Sequence, residues 1–261
     1  MIIPSSLIIA GSDSGGGAGI QADLKTFTAH KIYASTVITA ITAQNTKGVE
    51  KVMNLPLDII EAQMKSISSD LNVTIIKIGM LSNKEIIDLI SFCLKKYFPE
   101  IPVILDPVMV AKGGHQLLEE NAINTLKKSL LISSFIITPN LPEAEKFLNC
   151  KISNVKDMED AIHKFKKIGI KSILLKGGHL KSDKVTDLLY SKNKIYKFVS
   201  SKIITTNTHG TGCTLASALA CNIFKGNSLY DSVKNARKYV INGIETAQLI
   251  GKGHNPLNHF L

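Results

Sequence analysis

Short apolar runs, separated by longer segments of helical period, leave this chain few folds to choose from. The runs fall at residues 7–10, 35–39, 74–78, 103–105, 135–137 and 172–175. Being apolar throughout, they suit central strands of a parallel sheet buried on both faces. Helices are predicted between and after them, at 20–29, 57–68, 84–97, 119–127, 143–148, 157–167, 214–224 and 229–249. Such alternation predicts right-handed crossovers and a doubly wound, three-layer α/β/α domain with a mostly parallel central sheet. Two short runs at 187–190 and 194–199 flank Ser191-Lys192-Asn193 and read as a hairpin, a local antiparallel addition. With no internal repeat, low-complexity tract or linker, residues 1–261 are expected to form one domain.

The formal charge of +10 comes almost wholly from lysine, since Arg237 is the sole arginine. Lysines such as Lys164, Lys166 and Lys167 are spread over helix faces with no interleaved aromatic residues, which argues against a nucleic-acid partner. A mildly positive field would still favour the approach of phosphorylated small molecules. Cys93, Cys150, Cys213 and Cys221 form no CxxC pair, so neither a disulfide framework nor a zinc site is expected, and a reducing cytoplasm fits. The apolar start of the chain has no basic segment before it and is too short to span a membrane. It reads as a first strand.

Directly after that strand comes Gly11-Ser12-Asp13-Ser14-Gly15-Gly16-Gly17-Ala18-Gly19, then a helix containing Asp23. Ligands collect at the carboxyl ends of strands in open α/β sheets, and glycines there let backbone approach them. The spacing lacks a full GxGxxG and no acid ends the second strand, so a dinucleotide fingerprint is excluded, as is a Walker P-loop. Two readings stay open on these residues alone: a binding loop, or a flexible turn with Asp23 as an ordinary first-turn acid.

A second glycine turn, Thr208-His209-Gly210-Thr211-Gly212-Cys213, opens at once into small apolar residues at helical spacing. Glycines before a helix leave its first backbone N–H groups unobstructed, which makes an anion site. Fixed N–H donors stabilise the charge that a transferring phosphoryl group gathers, so the γ-phosphate is expected here. Cys213 at the helix start is expected to have a thiol pKa below the ordinary ~8.5 and to take the proton of an attacking hydroxyl. The bland alternative is a buried small hydrophobe, the reading that Cys221 receives.

Asp106 ends one predicted strand, and Thr138-Pro139-Asn140-Leu141-Pro142-Glu143 follows the next. Both put oxygen ligands at the sheet's carboxyl edge, where Mg²⁺ needs only one or two carboxylates beside the phosphates. Asp106 and Glu143 are the metal candidates, although Asn140 and Glu143 also read as a capping box. Lys176, in Lys176-Gly177-Gly178-His179, brings a cation to the same edge; His179 reads as structural.

Eight segments together resemble the hydroxymethylpyrimidine and phosphomethylpyrimidine kinases of the ribokinase-like superfamily. They are residues 10–13, 16–26, 42–46, 77–81, 106–114, 138–143, 176–179 and 207–213. The resemblance implies a pyrimidine held near Gly11, Ala18, Asp23, Gln44, Met80 and Val108, with the Gln44 amide on the ring's polar edge and Met80 against its face. It also implies Gly210, Thr211, Gly212 and Cys213 as anion hole and base, and Thr208, Asn140, Glu143 and Lys176 serving ATP and Mg²⁺. Two successive phosphorylations follow from it, as does a cytoplasmic enzyme expected as a homodimer. Pyridoxal kinase is the nearest competitor; relatives using pyridoxal with the same cysteine-bearing turn are expected to carry a second Cys where this chain has Ala111. With the sequence ending at Leu261, no fused thiamine-phosphate synthase domain is expected.

Overall fold

The computed structural model describes residues 2–260. Nine strands form one sheet: β1 (Ser5–Asp13), β2 (Ala34–Asn45), β3 (Gly48–Asn54), β4 (Val73–Ile78), β5 (Val103–Leu105), β6 (Ile136–Ile137), β7 (Ile173–Leu175), β8 (Lys184–Ser191) and β9 (Lys194–Ser201). Their order is β3-β2-β1-β4-β5-β6-β7-β8-β9. The six strands β2-β1-β4-β5-β6-β7 are parallel, while β3 on one edge and the β8–β9 hairpin on the other are antiparallel.

Alternation along β1 divides the core. Leu7 and Ile9 face one layer, made by α2 (Leu57–Ser68), α3 (Lys84–Tyr97), α5 (Leu141–Leu148) and α6 (Val155–Lys167). Ile8 and Ala10 face the other, made by α1 (Gly19–Ala29), α7 (Thr211–Phe224) and α8 (Leu229–Glu245). The doubly wound three-layer expectation therefore holds. Because β2 and β4 flank β1 on opposite sides, the chain reverses its winding there and opens a crevice at the strands' carboxyl ends.

Four local expectations need correction. The third run, 74–78, is not apolar throughout, since Lys77 lies fully buried within β4. β3 went unpredicted because an edge strand with Glu50, Lys51 and Met53 exposed presents no two-sided burial pattern. The helix predicted at 119–127 breaks into a 3₁₀ turn (Glu120–Ala122), α4 (Ile123–Leu126) and a π turn (Lys127–Leu131). There Ser129, Ser133 and Ser134 hydroxyls donate to carbonyls three or four residues back, competing with the regular ladder. Finally, α8 stops at Glu245, four residues early, and Leu249 beyond it is exposed.

Candidate active site

The second glycine turn becomes the start of α7. Gly210 adopts φ 79°, and a Cβ there would collide with the Gly17 carbonyl, so only glycine fits. The Thr211 N–H and hydroxyl both donate to Thr208 O, at 3.4 and 3.0 Å, and Thr214 N–H donates to Gly210 O at 2.9 Å. Among the described residues the intervening Gly212 and Cys213 N–H groups find no acceptor. They form the anion-binding end of the helix. A side chain at Gly212 would start 3.4 Å from both Asp106 Oδ2 and Lys176 Nζ, which puts the charged groups beside those donors.

That charged floor is built from the ends of three parallel strands. Asp106, just past β5, accepts from Thr138 Oγ1 at 2.9 Å and from Lys176 Nζ at 2.8 Å, both through Oδ1. Its Oδ2 is left facing the α7 start. Burial would raise the Asp106 carboxyl, but the Lys176 and Lys77 charges outweigh it and hold it below the ordinary range. Asn140 and Glu143 close the expected capping box, Asn140 N–H to Glu143 Oε2 at 2.7 Å and Glu143 N–H to Asn140 Oδ1 at 2.9 Å. Burial pushes the Glu143 carboxyl up to about 7, against the pull of Lys176 and with the push of Asp106. With the Asn140 N–H on its Oε2, Glu143 would reach a cation through water, whereas Asp106 offers a bare oxygen. No cluster of three metal-ligating side chains occurs among the described residues.

Lys176 owes its place to a bond network that includes the lone arginine. Gly177 N–H donates to Asp187 Oδ1 at 2.8 Å, and Arg237 Nη1 donates to Asp187 Oδ2, so α8, β8 and the β7 end are tied together. His179 is exposed beside this network, and partial desolvation with the nearby Lys112, Lys176 and Lys202 charges lowers its pKa.

The first glycine loop is organised by Asp13, a residue the sequence reading passed over. Its carboxylate accepts from Gly15 N–H (2.8 Å), Gly17 N–H (3.1 Å) and Ala18 N–H (2.8 Å), and also meets His209 Nε2 at 2.8 Å. Burial would raise the Asp13 carboxyl, yet the His209 hydrogen bond and charge, with the backbone donors, hold it below the ordinary range. His209 belongs to the second glycine turn, so this contact joins the two glycine regions into one site. The Gln44 amide nitrogen stands 3.3 Å from the same His209 Nε2. A nitrogen that donates to Asp13 cannot accept from Gln44, so the amide keeps its donors for a ligand.

Gly11 and Met80 lie against each other, a Cβ on Gly11 standing 3.0 Å from the Met80 sulfur; Ala18, at the N-cap of α1, and Val108, past the end of β5, are part-buried. The Gln44–His209 crevice is narrow, closed by Ala111–Gly113 from across and by His254. A wider cleft of about 660 Å³ opens beyond Met80, lined by Val52, Asn54, Ser82 and residues 115–121.

Two expectations need correction: the ligand contact of Asp23 and the acidity of Cys213. Asp23, expected among the ligand contacts or as a first-turn acid, is fully enclosed and grips Lys77 Nζ at 2.8 and 2.7 Å while accepting from Ser217 Oγ at 2.7 Å. No ligand in the crevice can touch it. The Cys213 thiol, expected to be acidified, is pushed up to about 11 by burial, with Asp23 and Asp106 adding to this and Lys77 and the Gly19 N–H opposing it. The thiol is therefore protonated near neutral pH. Lys77 was the other residue missed; only its position within an otherwise apolar strand could have pointed to it.

Comparison with known proteins settles the family. A model of the family described as phosphomethylpyrimidine kinase matches residues 13–258. This chain belongs to the phosphomethylpyrimidine kinase family. It is 42% identical to the hydroxymethylpyrimidine/phosphomethylpyrimidine kinase of Bacillus subtilis, over 100% of this chain and 96% of that one. It is 44% identical to the thiamine biosynthesis bifunctional protein ThiED of Geobacter sulfurreducens, covering 98% of this chain but only 52% of that protein. A crystal structure of a phosphomethylpyrimidine kinase from Clostridium difficile superposes with TM-score 0.81 at 43% identity, covering 93% of this chain and 99% of that one. The pyridoxal kinase of Staphylococcus aureus in complex with pyridoxal superposes with TM-score 0.90 at 31% identity, covering 100% and 94%.

Proposed function

We propose that this phosphomethylpyrimidine-kinase-family chain transfers the γ-phosphoryl group of ATP to the hydroxymethyl oxygen of 4-amino-5-hydroxymethyl-2-methylpyrimidine, and then to the phosphate of the resulting monophosphate. The observation that carries this reading is the 2.8 Å contact between Asp13 and His209, which brings an alcohol-binding loop and an anion-binding helix end into one crevice. Gln44 supplies N–H donors to the ring's polar edge, Met80 and Val108 supply apolar walls, and Gly11 and Ala18 allow close approach of the ring. In the first step the substrate oxygen forms its bond to the γ-phosphorus. The bond from that phosphorus to the β–γ bridging oxygen breaks, and its electron pair leaves with ADP.

The Gly212 and Cys213 N–H groups hold the migrating phosphoryl oxygens, which gather charge without any protein rearrangement. Lys176 neutralises the nucleotide phosphates beside them, and Thr208 and Asn140 border the nucleotide. Asp106 directly, and Glu143 through water, would hold Mg²⁺, which would supply positive charge to offset the negative charge of the phosphates. The alcohol proton leaves late in the transfer through the Cys213 thiol acting as a relay, which gives its own proton to an oxygen of the migrating phosphoryl group as it takes the alcohol's. A loose transition state leaves little need for an early base, which a thiol of high pKa could not provide.

The same reading takes the enzyme as cytoplasmic and homodimeric. No helix among the described residues is long and apolar enough to cross a membrane. Ile41 and Met53, paired across β2 and β3 and both exposed, offer a place for a second copy. The deciding experiment compares kcat/KM for the hydroxymethylpyrimidine, its monophosphate and pyridoxal on one preparation. Faster turnover of pyridoxal would overturn the substrate assignment.

A further inference from the structure

The segment from Gly251 to Pro256 has no part in the chemistry above, yet it touches three of the loops that line the crevice. It is folded around one buried side chain, Asn255, which is 1% exposed. Asn255 Oδ1 accepts from Ile250 N–H at 2.8 Å and Gly251 N–H at 2.6 Å, and Nδ2 donates to Gly253 O at 3.2 Å. These bonds curl residues 250–255 into a compact loop whose outer atoms are then spent on the site. The Asn255 carbonyl accepts the His209 N–H at 3.1 Å, and Pro256 lies beside His209 and Gly17.

On its other side the loop holds the β2–β3 turn. His254 N–H donates to Thr46 O at 2.7 Å and Gly253 N–H to Thr46 Oγ1 at 3.2 Å. Gly251 and Gly253 stand so close to Thr46 that neither has room for a Cβ. Thr46 is two residues from Gln44, whose backbone N–H donates to Ser14 Oγ and whose carbonyl accepts from that hydroxyl, both at 2.8 Å. The strap thus spans from the turn that aims Gln44 to the turn that starts α7. Its bonds reach neither Asp106, Asn140 nor Lys176.

We propose that Asn255 is a positioning residue for the acceptor half of the site: by holding the 250–256 strap in shape it fixes the distance between Gln44 and the α7 anion site. This rests on assigning the Gln44 side of the crevice to the alcohol substrate. The consequence is weighted toward the alcohol, because Asp106, Asn140 and Lys176 keep their places on elements that the strap does not touch.

The test is steady-state kinetics of Asn255→Leu, which keeps the side chain's bulk and removes its three hydrogen bonds. A shift of about 1 Å in a contact residue is costly, so KM for the alcohol should rise about tenfold or more while KM for ATP stays within about twofold. Asn255→Asp retains acceptors for the Ile250 and Gly251 N–H groups and should recover part of the loss. Thr46→Val, which removes only the Gly253 acceptor, should shift the alcohol KM in the same direction by less, and serves if Asn255→Leu fails to fold. Equal rises in both KM values, or a lowered melting temperature with both KM values unchanged, would overturn the proposal. Each variant is run with the hydroxymethylpyrimidine and with pyridoxal. Should the wild type accept only pyridoxal, the substrate assignment fails while the strap is still read from the pyridoxal KM.

Discussion

Replacing Lys77 by Met tests how the site is supported from beneath. Alternation along β4 turns Lys77 to the same side as Ile75, toward α1 and α7, where both it and Asp23 are 0% exposed. Asp23 Oδ1 and Oδ2 lie 2.8 and 2.7 Å from Lys77 Nζ, and Ser217, one helical turn below Cys213, completes the cluster at 2.7 Å. In Lys77→Met the Asp23 carboxylate keeps a single hydroxyl partner. Breaking a buried pair in this way costs about 3–5 kcal/mol. At about 2–4 °C per kcal/mol for a chain of this size, the melting temperature should drop by roughly 6–20 °C.

Calorimetry or circular dichroism melts at several pH values would read this. Burial already raises the Asp23 carboxyl above the ordinary range despite Lys77, and loss of that cation raises it further. A carboxyl with its folded pKa raised is tolerated better when protonated. The deficit should therefore shrink as pH falls and widen as pH rises through the variant's folded-state pKa. Asp23→Leu combined with Lys77→Met strands no charge and should regain most of the stability. If the double variant melts as low as the single one, or the deficit ignores pH, the loss is one of packing and the ion-pair argument fails.

Two further outcomes concern the chemistry. Cys213→Ala should slow single-turnover transfer to the hydroxymethylpyrimidine by ~10²-fold, the usual contribution of a proton acceptor, and an unchanged rate would remove Cys213 from that role. Because Glu143 ionises at about 7, kcat/KM for Mg²⁺-ATP should climb as pH rises through that value; Glu143→Gln should flatten this limb, and a persisting limb would point to another group.

Much of this architecture was readable in the residues, for definite reasons. Strands such as β5 and helices such as α2 and α3 matched their predicted bounds because their apolar periodicity is set by burial. The Gly210 turn was visible because Gly17 packs where any larger residue would need space, leaving glycine in the sequence as the trace. β3 left no such trace, being wet on an edge. Lys77 and Asp23 misled for the opposite reason: a buried lysine is tolerable only once its partner is known, and the two are 54 positions apart. The acidity of Cys213 was misjudged because helix-start position was weighed without the desolvation that the surrounding α1 and β4 side chains impose. Asp13 and His209 looked like loop residues because their value lies in meeting each other across 196 positions.

The strap's hold on Thr46 joins residues 207 positions apart. During synthesis the parallel core could collapse on the ribosome long before that clasp exists, leaving a folded but slack pocket. Competence to turn over the alcohol would then switch on abruptly, with the emergence of residues 250–256 rather than with the formation of the sheet.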